Sequence, residues 1–220
     1  KPTNSGKVNH AFINCRSTFK NHVYPKFKNT PIEDLTPKDV EEFKYTKSKP
    51  IYNKIVTFMK AAITRELGLK NNPLTELTKV SIPERKRVIE PEELKELYEA
   101  LKKEEQIYED VVLILLLTGA RKQSVLSMRW SDINLANKTW TFLQKGDSYH
   151  TVWLSPDVLK ILKRRKESRK TNYVFPSKVE GVNHISEKSS EGSFWRRITK
   201  RAGLHSEDRE LNLTIHDLRR

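Results

Sequence analysis

From about Val8 to Tyr24, apolar residues recur three and four positions apart, with Ala11, Phe12, Cys15, Phe19 and Val23 on one side. That spacing predicts an amphipathic helix with this stripe turned inward, and Pro25 predicts its end. In "DLTPKDVEEF", Thr36 stands where a helix N-cap should be and Pro37 at the first turn, with acidic residues following. A third helix is predicted from "KPIYNKIVTFMKAAITRELGL", burying Ile51, Ile55, Phe58, Met59 and Ala62. Gly68 and the "NNP" of Asn71 to Pro73 close it. Residues 1–80 thus form a small all-helical unit. The next stretch, "KVSIPERKRVIEPEEL", has prolines, a basic cluster and no periodicity, so residues 81–90 are expected to be an inter-domain linker.

The pattern resumes with an acidic helix start near Pro91 and an apolar helix from about Ile107 to Leu117, broken at Thr118-Gly119. After Trp130 the period shortens. "INL", "TWTFLQ" and "HTVWLS" are strand-like runs separated by the turns "ANK" and "KGDSY", which predicts a three-stranded antiparallel meander. Helices are expected at about Pro156–Arg169 and Phe194–Ala202, with "YVFPS" extended between them, and a last one from about Ile215. The fold class expected is mainly α with a small antiparallel β-meander, the second domain covering residues 91–220.

Charge changes this picture more than composition does. The most apolar run, "VVLILLL", is too short to span a bilayer, and the polar opening "KPTNSGKVNH" does not look like a secretory signal. The lone Cys15 has neither a disulfide partner nor zinc-ligand spacing, so a reducing, cytoplasmic setting is expected. The formal net charge is +14, unevenly spread: residues 1–87 hold 18 basic against 8 acidic, and residues 88–220 hold 24 against 20. A basic amino-terminal unit favours a polyanionic partner, DNA or RNA.

Three stretches have chemical potential. In "TGARKQSVLSMRWSDI", Arg121 stands at a helix start, where the helix dipole disfavours a cation unless an anion binds nearby. A solvated or carboxylate-paired arginine is the plainer alternative. In "TFLQKGDSYHTVWLS", Lys145 falls at the hairpin tip, where most lysines are merely solvated. In "TIHDLRR", His216 and Arg219 are three apart and share one helix face, while Ile215 and Leu218 turn towards packing; an ordinary surface helix end has the same pattern.

Their order is more informative. An arginine after a "TG" break, a hairpin lysine and a late H-x-x-R together resemble the catalytic domain of the tyrosine recombinase (phage integrase) family. The matches are "LLLTGARKQSVLSMRWSDINL", "QKGDSYHTVWLSP" and "TIHDLRR", and "IEDLTPKDVEEF" with "LGLKNNPL" resembles that family's SAM-like core-binding domain. The resemblance implies a DNA recombinase that joins a tyrosine to a 3′-phosphate and frees a 5′-hydroxyl. Arg121 and Arg219 would neutralise the non-bridging oxygens, His216 would contact the phosphate, and Lys145 would protonate the leaving oxygen. It implies no cofactor and no metal, because the side chains supply the positive charge. Ser124 stands where many relatives have an acidic residue. None of the seven tyrosines is placed as the family places its nucleophile, which is expected beyond Arg220, in a segment removed from this chain.

The resemblance also implies a clamp around double-stranded DNA at an attachment site. Lys44, Lys47, Lys49 and Lys54 are the candidates on one jaw, with Lys20, Lys26 and Lys28 weaker. Arg85, Lys86 and Arg87 would follow the backbone as the linker crosses it. The dense "KILKRRKESRK" is expected to be a solvated face. A monomer is expected for the chain as it stands, a tetramer on DNA for the full-length protein, and a bacterial, phage or mobile-element source acting at the nucleoid. The alternatives are a non-catalytic DNA-binding regulator of the same fold ending at Arg220, a type IB topoisomerase, and a metal-dependent phosphohydrolase using His216 and Asp217.

Overall fold

The computed structural model describes residues 10–68, 70–143, 148–186 and 193–219. The chain divides into two compact units, Lys1–Glu84 and Arg85–Arg220. The division falls inside the segment expected to be a linker, and Arg85 and Arg87 belong to the second unit.

In the first unit, α1 (His10–Thr18) runs through a π-helical turn, Phe19–Val23, into α2 (Tyr24–Phe27). The helix does not end at Pro25. Proline cannot supply the usual hydrogen bond to the carbonyl four residues back, and here it enters at the first turn of α2, directly after the wider turn. That wider turn also shifts the phase of the apolar stripe. Val23 is buried, whereas Phe12 and Phe19 remain 52% and 41% exposed.

α3 (Pro37–Glu41) starts as expected, with a capping box in which the Thr36 amide donates to Asp39 at 2.9 Å. After α4 (Phe43–Thr46) comes the long α5 (Lys49–Leu67), whose buried stripe is Tyr52, Ile55, Val56, Met59 and Ile63. Ile55 and Met59 were expected there; Ala62 is instead exposed. Tyr52 takes its place inside because its hydroxyl donates to the Thr78 carbonyl at 3.3 Å, so the ring is buried without an orphaned polar atom. The segment after α5 is stapled back by side chains. Buried Asn72 donates to the Lys60 carbonyl (3.0 Å) and Thr64 Oγ1 (2.7 Å) and accepts from the Leu74 amide (2.8 Å). Asn53 exchanges two 2.9 Å bonds with the Val80 backbone, as a neighbouring strand would.

The second unit opens with α6 (Pro91–Leu101), its capping box built from Glu90 and Glu93, and α7 (Gln106–Thr118). α7 ends at Gly119, whose φ of +59° is left-handed and costs a side-chain-bearing residue about 1–2 kcal/mol. The short α8 (Lys122–Leu126) leads to β1 (Ile133–Asn134), β2 (Thr139–Leu143) and β3 (Tyr149–Trp153), an antiparallel meander in the order β1-β2-β3. Trp140 pairs with Val152 and Phe142 with His150, and Trp140 and Phe142 form the buried face. α9 (Pro156–Glu167) and α10 (Phe194–Arg201) follow, and the last described residues form a 3₁₀ turn, Asp217–Arg219.

The basic run on α9 is not simply a solvated face. Asp110 of α7 is fully buried, and it draws in both Arg164 and Arg165, the latter at 3.1 Å. Arg165 also lies over the Phe175 ring, 5.0 Å from its centroid, and donates to the Val174 carbonyl at 2.9 Å. A buried carboxylate without such partners would cost several kcal/mol, on the order of the penalty for burying a lone charge.

Candidate functional site

Within "TIHDLRR", residues 214–219 fold as a tight turn that ends in the 3₁₀ turn Asp217–Arg219, where an α-helix was expected from Ile215. Asp217 closes it back onto Thr214, accepting from the Thr214 amide and hydroxyl at Oδ2, at 2.8 and 2.7 Å, as the third residue of a capping box does. Ile215 and Leu218 are buried, with Leu213 before them, whereas His216 and Arg219 are exposed. The division of apolar and polar faces expected from the sequence therefore holds on a different kind of turn. The Trp195 indole donates to the Leu213 carbonyl at 3.0 Å, and the Leu213 amide to the Leu204 carbonyl at 3.0 Å, which fixes the entry to the turn.

The turn packs against α7, the helix whose carboxyl end delivers Arg121. Arg121 has extended backbone, is exposed and immediately precedes α8. Partial burial of the His216 ring pushes its pKa below the ordinary histidine value, the charges of Lys122 and Arg219 push the same way, and Asp217 opposes them. Lys122 and Arg219 therefore both bear on His216, which brings the end of the first arginine stretch and the H-x-x-R turn into one neighbourhood. Lys145 lies outside the described residues, beyond the Leu143–Tyr149 pair of the meander.

Asp217 faces the other way. Burial alone would raise its carboxyl, but hydrogen bonds from Arg85 and Thr214 outweigh burial and hold it below the usual carboxylate range. Arg85 Nε donates to Oδ1 at 3.0 Å and a terminal nitrogen to Oδ2 at 2.9 Å. His216 and Asp217 thus diverge, one outward and one inward, and among the described residues no group of three His, Cys, Asp or Glu side chains could hold a metal ion. Asp217 is not available as a ligand because its oxygens are taken.

The basic segment alternates as an extended chain does. Arg85 points inward. Arg87 also points inward, with both terminal nitrogens on Glu93 at 2.8 and 2.6 Å and Nε on the Leu211 carbonyl at 3.1 Å. Lys86, between them, is exposed. The expectation that all three follow a DNA backbone thus meets two guanidiniums engaged inside their own unit. The reason is local: Glu93 and Asp217 are carboxylates that need forked donors. Sequence reasoning weighed Asp217 only as a metal ligand and missed its bonds to Arg85 and Thr214, although the T-x-x-D spacing of a helix start was visible in "TIHD".

In the first unit, Lys49 and Lys54 are exposed and Lys47 is half-buried. Lys44 reaches Glu41 at 2.6 Å and lies over the Tyr52 ring, and the hydrogen bond it donates to Glu41 raises its pKa. Lys26 is held by Glu42 at 2.5 Å, whereas Lys20 and Lys28 are exposed. No helix among the described residues is long and apolar enough to cross a membrane.

Comparisons with known proteins agree with this layout. Residues 87–220 match the model of the phage integrase family, and residues 9–47 match the phage integrase N-terminal SAM-like domain. The ICEBs1 integrase of Bacillus subtilis (strain 168) is 22% identical over 182 residues, covering 72% of this chain and 50% of that protein. A lambda integrase dimer bound to a COC' core site has the same fold, with a TM-score of 0.77, 19% identity, and coverage of 98% of this chain and 64% of that one. The Tn1549 transposon integrase in complex with circular intermediate DNA has a TM-score of 0.70 at 18% identity, over 97% of this chain and 80% of that one. The chain thus spans half the length of the curated relative it matches.

Proposed function

The chain belongs to the phage integrase family, and from that premise we propose that it is the DNA-gripping and phosphate-activating part of a site-specific tyrosine recombinase. The observation that supports this reading most is the turn at Thr214–Arg219: His216 and Arg219 face outward beside Lys122, while Ile215 and Leu218 anchor the turn in the core. In this reading Arg121 and Arg219 take the non-bridging oxygens of the scissile phosphate, where negative charge grows in the transition state. His216 contacts the same phosphate, and Lys145 protonates the departing 5′-oxygen. The attacking tyrosine is none of the seven in this sequence. The unit ending at Glu84 forms one jaw on duplex DNA, with Lys47, Lys49 and Lys54 as phosphate contacts and Lys44 contributing when it exchanges Glu41 for a phosphate. The recombinase works as a tetramer on two duplexes.

Crystals grown with orthovanadate, a stand-in for the phosphate, test the site. One anion should be shared by Arg121, His216 and Arg219, and it should vanish in Arg121→Ala and Arg219→Ala. An anion held by any one of them apart from the others would refute the shared site. A suicide duplex tests the nucleophile: the chain alone should form no covalent adduct, and a phosphotyrosyl peptide from any of its tyrosines would overturn that assignment.

A further inference from the structure

We propose that Arg85 is a positioning residue for the phosphate-binding turn: by gripping Asp217, it sets the direction of the flanking side chains His216 and Arg219. The inference rests on the reading of that turn given above. Arg85 precedes Asp217 by 132 positions, so the contact is made only once the second unit has folded. Its guanidinium bonds both carboxylate oxygens, and two further N–H groups go to the carbonyls of Arg209 and Asn212. One side chain thus ties the loop before the turn to the turn itself.

Two facts point to geometry as its purpose. A buried ion pair of this kind (the side chains are 14% and 1% exposed) often gives no more stability than an apolar pair of the same volume. A fork on a carboxylate does fix both distance and angle. The turn needs such a restraint. Among the described residues, its backbone bonds include the Asp217 amide to the Thr214 carbonyl at 2.9 Å and the weaker Arg219 amide to the His216 carbonyl at 3.3 Å. Two long side chains on so short a turn would otherwise wander. Groups that grip a phosphate lose rate steeply when displaced by about 1 Å.

Two variants separate positioning from mere support. Arg85→Lys keeps the charge and loses the fork; Asp217→Asn keeps an acceptor for Thr214 and loses the charge. In each, the His216 ring is followed by NMR through a pH titration, with and without inorganic phosphate. The expected result is that the His216 midpoint rises in both variants towards the ordinary histidine value, as a released ring moves out of its partly covered position and away from the cation of Lys122. For Asp217→Asn this opposes the direct charge effect, because removing a neighbouring anion by itself lowers the midpoint. The phosphate response of the ring should also weaken several-fold. An unchanged midpoint in Arg85→Lys, a lowered one in Asp217→Asn, or loss of the fold in both variants would overturn the proposal and leave Arg85 a structural tie. A wild-type ring that ignores phosphate, while its midpoint still rises in Arg85→Lys, would sustain the positioning role and refute the phosphate site.

Discussion

A histidine pressed by two cations is poised to gain from an anion. Lys122 and Arg219 add to partial burial in keeping His216 neutral, against the pull of Asp217. A phosphate would reverse that balance, raising the pKa and drawing a proton onto the ring. The same depression has a consequence for stability. A histidine that is harder to protonate when folded stabilises the fold fully above its unfolded pKa, about 6.5, and that contribution is lost as pH falls through the lower folded value. Urea unfolding of the wild type and His216→Gln from pH 8 to pH 5 should therefore show the variant gaining on the wild type below about pH 6.5. A gap that stays constant with pH would mean that His216 titrates normally. Neighbouring residues of one type can differ as sharply: Arg85 and Arg87 turn inward to carboxylates, while Lys86 between them faces solvent. "ERKR" records the charges but not the partners, which lie up to 132 positions away.

Elements were legible where a local rule fixed them. Thr36 ahead of α3, Gly119 after α7 and the meander all follow from signals a few residues long. What failed to show was set by contacts distant in sequence. The stripe of α1 was predicted from regular 3.6-residue spacing, and the π turn at Phe19–Val23 broke the phase. α5 buries Tyr52 in place of Ala62 because a carbonyl from a later segment satisfies the hydroxyl. Asp110 is buried because α9 brings two arginines to it. The residues proposed to contact the phosphate stood out only as an ordered set of motifs, whereas Asp217 was weighed only as a metal ligand, because the Arg85 that engages it lies 132 positions away. Asn72 is the strongest case in the first unit, since one amide makes two bonds to α5 and a third within the segment that follows. Asn72→Ala leaves the buried Leu74 amide without its acceptor and should cost about 2 kcal/mol in urea unfolding. A cost below about 0.5 kcal/mol, the level of an ordinary surface change, would show that the staple is idle.

For the whole molecule, the proposed grip on DNA is a question of charge. The net of +14 overstates the surface available to phosphates, because Arg85, Arg87 and Arg165 are engaged internally and Lys26 and Lys44 are paired. Lys47, Lys49, Lys54 and Lys86 remain the strongest candidates outside the turn that holds His216 and Arg219. Each cation that displaces a condensed counterion adds about 0.9 to the slope of log affinity against log salt, so four contacts give a slope of about −4 from these residues alone. The Lys49→Ala, Lys54→Ala double variant should flatten the slope by about 2 with little dependence on DNA sequence, since phosphate contacts position without specifying. Arg87→Ala should leave it nearly unchanged, because Glu93 already occupies that guanidinium. Anisotropy titrations on a duplex at several salt concentrations would decide. If Arg87→Ala flattened the slope as much as the lysine pair did, the internal fork would have to open on DNA, and the basic segment would be a backbone tracker after all.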